Sequence, residues 1–140
     1  MKKIVSILLL ICLVLPGIVI AKGDDGKKVK KESKKDAPKD VYVLGVSLAF
    51  PDSIVYFTEI QCIEDVVLEN GFLPERHMYS YELKDYMSYA KGMPGRTSFI
   101  IFSDKRAKLE KKEQKIKKRL IERENKTVRY LGDSFKFTKH

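Results

Sequence analysis

Residues 97–131 read TSFIIFSDKRAKLEKKEQKIKKRLIERENKTVRYL, and the order of apolar patterns within them decides the fold. Thr97–Ser103 is a short apolar run rich in aromatic and β-branched side chains, the pattern of a buried strand. Asp104–Glu124 lacks Gly and Pro and is built from good helix formers; Leu109, Ile116 and Leu120, with Ala107 and Ile121 at its margin, make a narrow apolar stripe. Val128–Leu131 returns to strand composition. Strand, helix and strand in this order form a crossover, whose two strands run parallel when they share a sheet.

Upstream, Val41–Phe50 (VYVLGVSLAF) is almost wholly apolar. Tyr42, Leu44, Val46, Leu48 and Phe50 alternate with the smaller Val41, Val43, Gly45, Ser47 and Ala49, as in a strand covered more deeply on one side. Pro51-Asp52-Ser53 is turn chemistry, and Ile54–Ile60 alternates as the second arm of a hairpin. Within Gln61–Asn70 the spacing of Ile63, Val66 and Val67, closed by Asn70-Gly71, predicts a short helix. Ser80–Lys91 predicts a further helix capped by Ser80 and closed by Gly92, with Tyr79, Leu83, Tyr86 and Ala90 on one face. Met93-Pro94-Gly95-Arg96 suits a type II turn. Gly132-Asp133 is a turn, and Phe135–Phe137 a final short strand. The expected fold is α/β (α+β): a two-layer sandwich of a mixed four- or five-stranded sheet with two main helices on one face, in the order β-β-(α)-α-β-α-β.

The N-terminus has the layout of a secretory signal: Lys2 and Lys3, the apolar run Ile4–Leu15, the break Pro16-Gly17, and Val19 and Ala21 before a cut after Ala21. The alternative is an uncleaved membrane anchor over residues 4–21. Cys12 lies inside the apolar run with Ile11 before it, which argues against lipidation. Residues 22–40 are Lys-rich and nearly without apolar side chains, so they are expected to be a disordered linker. Residues 41–140 then form one domain, which holds all seven Tyr and all seven Phe.

The segments FPDSIVYFTEIQ, YSYELKDY, MPGRTSFIIF and KLEKKEQKIKKR resemble a group of small exported proteins from Bacteroidetes-type bacteria. The resemblance runs over roughly residues 41–140 and implies export, but it carries no activity.

Charge is divided along the chain. Residues 41–104 hold four basic and nine acidic side chains, whereas residues 105–140 hold fourteen basic and five acidic. Most of the cations crowd the 105–124 helix, and its stripe is too narrow to bury them. Lys108, Lys111, Lys112, Lys115, Lys118 and Arg119 are therefore candidate contacts for an anionic envelope surface or an acidic protein partner, against the plainer reading of a solvated face. Self-association through the charge split is a further possibility. Nucleic acid fits poorly, because the aromatics are not interleaved with the lysines and export removes the usual substrate.

Little in the chain suggests catalysis or cofactor binding. His77 and His140 are the only histidines, and Cys62, set among Ile60, Ile63 and Val66, reads as a buried apolar filler rather than half of a Cys-His pair. No metal-ligand spacing occurs and no cofactor is expected. The Lys91–Arg96 loop makes Arg96 a weak anion-binding candidate, with a plain turn as the simpler account. Asn125-Lys126-Thr127 matches a glycosylation sequon and Asp52-Ser53-Ile54 a short O-glycosylation acceptor, although a hairpin turn explains the latter equally well. The expected function is an exported, non-enzymatic binding or accessory domain of the bacterial envelope; the alternatives are a structural or self-associating module and, behind it, a small enzyme of unknown reaction.

Overall fold

The computed structural model describes residues 35–140. The expected signal segment, its cut and residues 22–34 of the linker lie outside them. Strand β1 (Lys39–Leu48) is the centre of the sheet. On one side it pairs antiparallel with β4 (Thr97–Ser103), in register from Tyr42 opposite Ser103 to Leu48 opposite Thr97. Its other side is shared: β2 (Ile54–Phe57) takes the C-terminal half and β3 (Gln61–Val66) the N-terminal half, both antiparallel. Strand β5 (Thr127–Tyr130) joins β2 in parallel, from Ile54 opposite Thr127 to Phe57 opposite Tyr130. Because β4 and β2 are each antiparallel to β1, β4 and β5 run parallel, as the crossover requires.

Helix α1 (Arg76–Asp85) continues as a π-helical turn over Tyr86–Ala90, and α2 spans Arg106–Glu122. The mixed five-stranded sheet with two helices packed on it is thus present, in an α+β arrangement where each helix forms two layers with the sheet face it covers. The expectation that both helices share a face does not hold. Val41, Val43 and Ile100 pack with Tyr79, Leu83 and Met87 of α1 and its π turn, whereas Leu44, Val46, Val55 and Phe57 pack with Leu109 and Leu120 of α2. Successive strand residues point to opposite faces, and β1 is apolar on both, so both need a cover. The face of smaller residues is not the shallower one. Its small side chains let Leu83 and Phe137 approach the backbone at Gly45.

The segment expected to be a helix at Gln61–Asn70 is strand β3 over its first six residues. Ten-residue β1 would otherwise leave its N-terminal half unpaired beyond four-residue β2, and an unpaired buried backbone costs more than a weak helical preference returns. Between β2 and β3 the chain bends at Thr58, whose N–H donates to the Gly45 carbonyl while its Oγ1 accepts from Gly45 N–H at 2.8 Å.

Other boundaries differ as well. Helix α1 starts four residues before Ser80, after Glu75 in the left-handed region at φ 49°; Ser80 Oγ instead donates back to the Arg76 carbonyl. At its far end Lys91 N–H reaches the Tyr86 carbonyl, and this wider turn brings Met87, not Ala90, into the core. Gly92, at φ 63°, ends the helix as expected. Phe50 sits in the exposed turn beyond β1 rather than on the strand. Phe135 and Phe137 are buried, but the segment is no strand: the Gln61 side chain takes the place of a neighbouring strand, donating from Nε2 to the Phe135 carbonyl and accepting from Phe137 N–H at 2.8 Å. Strand β1 begins before Val41, and Asp36 N–H already donates to the Leu68 carbonyl.

Candidate functional site

Helix α2 carries the basic residues singled out from the sequence. Ser103 Oγ accepts from Lys105 N–H at 3.3 Å just before the first turn. The inward face then runs through Leu109, Glu113, Ile116 and Leu120, spaced by four, three and four residues. Glu113 is the residue the stripe missed. It is buried, and it accepts from the Tyr130 hydroxyl at 2.6 Å. Lys117 lies over the ring of the same tyrosine, 5.2 Å from its centroid. Both are therefore tied to β5 rather than offered outward.

Lys108, Lys111, Lys112, Lys115, Lys118 and Arg119 are all exposed. Arg119 pairs with Glu124 at 3.1 Å and Lys118 stands 4.0 Å from Glu122. Among the described residues, Lys108, Lys111, Lys112 and Lys115 have no ion-pair partner. The fold divides five of the six between two places, and Lys111 lines neither. Lys115, Lys118 and Arg119 border a shallow hollow along Ile116. Lys108 and Lys112 line a cleft of about 400 Å³, where they meet Lys39 of β1, Arg76 of α1 and the end of β4 from Ile100 to Asp104. Asp104 is the one carboxylate in that lining. Convergence of cations from three elements was not visible in the sequence, since Lys39 and Arg76 are remote from the lysine run.

Arg76 is fixed at the mouth of this cleft, with Nη2 donating to the Ile100 carbonyl at 3.2 Å and the guanidinium 6.0 Å from the Phe102 ring centroid. Lys39 is held beside Asp36 at 3.6 Å. The remaining donors of Arg76 and the ammonium groups of Lys108 and Lys112 are free to receive carboxylate or phosphate oxygens.

Arg96 is placed differently. It is buried, and its donors go to the Asp52 carboxylate, Ser47 Oγ, the Ser47 carbonyl and the Ile54 carbonyl. The guanidinium also stacks over Tyr56, 5.0 Å from the ring centroid. The turn before β4 accordingly holds Arg96 inward rather than presenting it to solvent. Asp52 is occupied by Arg96 and by Ile54 N–H, while Ser53 beside it is exposed.

Cys62 is a free, exposed thiol, contrary to its expected burial. It points to the face opposite Ile63, its neighbour in β3. Partial desolvation, then the carboxylates of Asp40 and Glu64, push its pKa up. His77 is engaged by Glu75 at 3.4 Å and by the edge of Tyr81. Among the described residues no group of three or more His, Cys, Asp or Glu is placed to hold a metal ion, and no helix is long and apolar enough to cross a membrane. Compared with protein-family models, characterised proteins and solved structures, the chain matches none.

Proposed function

We propose that this is an exported, non-enzymatic binding or accessory domain of the bacterial envelope, which meets an anionic partner through α2. The observation that carries the reading is the cleft where Lys108 and Lys112 join Lys39 and Arg76 against a single carboxylate. The unpaired Lys111 and Lys115 extend the same positive surface along the helix. Opposed ammonium groups repel one another, so a surface that keeps four of them unneutralised gains from a partner's negative charge. Near an anionic surface each lysine contributes about 1 kcal/mol, within a Debye length of about 10 Å at 0.1 M salt. The secretory layout of residues 1–21 and the resemblance to small exported proteins support placement in the envelope.

The test changes Lys111, Lys112, Lys115 and Lys118 together to Gln. These positions lie off the Leu109, Ile116 and Leu120 stripe, so folding should be nearly unchanged. Co-sedimentation with anionic vesicles and capture of acidic proteins should fall, most at low salt. Binding equal to the parent at every ionic strength would remove the reading and leave a self-associating structural module. Export is tested separately by sequencing the mature N-terminus, expected at Lys22.

A further inference from the structure

Strand β4 is an edge: among the described residues β1 is its one ladder partner. The Ile100 carbonyl receives Arg76, so the N–H and C=O of Ile100 point away from β1. By the two-residue repeat of a strand, those of Ser98 and Phe102 point the same way. Such an outward row is a template for another strand. Here it opens on the basic cleft, whose wall includes Ile100, Ile101 and Phe102.

The placement of charge is specific to this edge. The two helices cover opposite faces of the sheet, so Arg76 of α1 stands to one side of the edge and Lys108 and Lys112 of α2 to the other. A strand added to β4 sends its side chains alternately to these two sides. Carboxylates on either side would then meet a cation. The Ile100 carbonyl has a second lone pair, so Arg76 need not leave it to accommodate an incoming N–H.

We infer that the β4 edge receives an extended acidic segment of another protein by strand addition, its backbone pairing along Ser98–Phe102 and its carboxylates meeting Arg76, Lys108 and Lys112. The inference rests on the anionic-partner reading and supplies the partner's chemistry and mode of contact. A second copy of this chain is disfavoured at the edge, because two-fold pairing of β4 with itself brings the two sets of cations together. The chain's own residues 22–34 carry six lysines and three acidic residues, the wrong sign for the cleft. A flat bilayer offers no backbone to pair with β4; it would be met by the outward lysines of α2.

The experiment uses the ¹⁵N-labelled full mature chain and a short end-blocked peptide of Glu and Thr, with Glu at every odd position and at one central even position, so that carboxylates lie on both sides of the added strand. Two further peptides are N-methylated at its odd or its even positions, and phosphatidylglycerol vesicles serve as a second anion. The unmodified peptide should bind, and exchange of the Phe102 amide hydrogen should slow. One methylated form should lose about tenfold or more in affinity, because it deletes the bonds facing β4, while the other keeps it. Lys108→Gln with Lys112→Gln should weaken the peptide at low salt. Equal binding by both methylated forms, or binding with unchanged Phe102 exchange, overturns strand addition and leaves the anionic-partner reading standing. Vesicle binding without peptide binding does the same. Failure of both peptide and vesicles to bind overturns the two together.

Discussion

The Arg96 guanidinium meets the Asp52 carboxylate at 2.5 Å, fastening the turn that enters β4 to the turn that joins β1 and β2. Arg96 is almost fully buried while about a third of the Asp52 side chain remains exposed. Its bonds to the Ser47 and Ile54 carbonyls make it a clasp across three strands. Arg96→Met should cost about 2–3 kcal/mol, less than for a wholly buried pair because water can reach the stranded Asp52. Arg96→Lys should rescue little, since an ammonium cannot reproduce the fork. Chemical denaturation of the three proteins checks the order.

The same pair sets an acid limb of stability. Ile54 N–H, first, and Arg96, second, hold the Asp52 carboxyl below its ordinary value of 3.8. A carboxyl whose pKa is lowered by folding adds stability above its unfolded value, and that stability is lost as pH falls through the folded value. The contribution is therefore full above pH 3.8 and disappears below it. Asp52→Asn should be less stable than the parent at neutral pH, and the difference should close on acidification. A constant difference down to pH 2 would remove Asp52 from this role.

Gly45 is constrained by its surroundings rather than by its backbone angles. A Cβ there would stand 2.7 Å from Leu83 Cδ2, 2.9 Å from Phe137 Cζ and 2.9 Å from Thr58 Cγ2. Leu83 can turn aside, but Thr58 is held by its bonds to Gly45 and to the Glu59 carbonyl. Gly45→Ala should therefore destabilise by about 1–3 kcal/mol, as overpacking does, with Phe137 and the C-terminal segment displaced. Thermal melts and the Phe137 ring resonances report the two effects.

How far the fold was legible follows from these same residues. Strands β1 and β4, helix α2 and the parallel placement of β5 were readable because long periodic segments leave little choice, and Gly95 at φ 79° sits where the Pro-Gly turn wanted it. Strand β3 was misread for a local reason. Asp65 is in the left-handed region at φ 52° and the pairing shifts register between Lys39 and Val41, so Ile63 and Val66 both face inward although three residues apart. A bulged strand thus imitates helical spacing. The opposite-face helices were implicit in the two apolar faces of β1. The lysines of α2 were legible as a group; their division between cleft and hollow was not, because it depends on where Lys39 and Arg76 arrive in space. Glu113 could have been found, four residues after Leu109 on the stripe.

Cys62 corrects a reading and makes a prediction. In β3 it adjoins Ile63, and adjacent strand residues face opposite ways, so its apolar neighbours say nothing of its own burial. The thiol should react with an aromatic disulfide reagent in the folded protein, without prior unfolding. Its raised pKa keeps the thiolate scarce at neutral pH, so labelling should be slow compared with a free thiol. Asp40→Asn with Glu64→Gln should speed it, because two carboxylates that disfavour the thiolate are removed. Labelling only in denaturant would return Cys62 to the core.

Tyr130 and Glu113 join β5 to α2 through the 2.6 Å bond from phenol to carboxylate. Partial burial, foremost, and then the Glu113 acceptor hold the phenol pKa well above its ordinary value of 10.0. Glu113→Gln keeps an acceptor but removes the negative charge, so the Tyr130 pKa should fall yet stay above that of exposed tyrosines, since burial remains. The difference in phenolate absorbance between each protein and its Tyr130→Phe counterpart isolates this group. The sign for stability is the reverse of that for Asp52. A group whose folded pKa is raised leaves stability independent of pH below its unfolded value; above pH 10.0 the unfolded chain ionises first and stability declines. Tyr130→Phe should therefore decline less steeply than the parent above pH 10.0. An unshifted Tyr130 in the parent, or a Glu113→Gln variant that titrates with the parent, would mean that the phenol and the carboxylate are not bonded in solution.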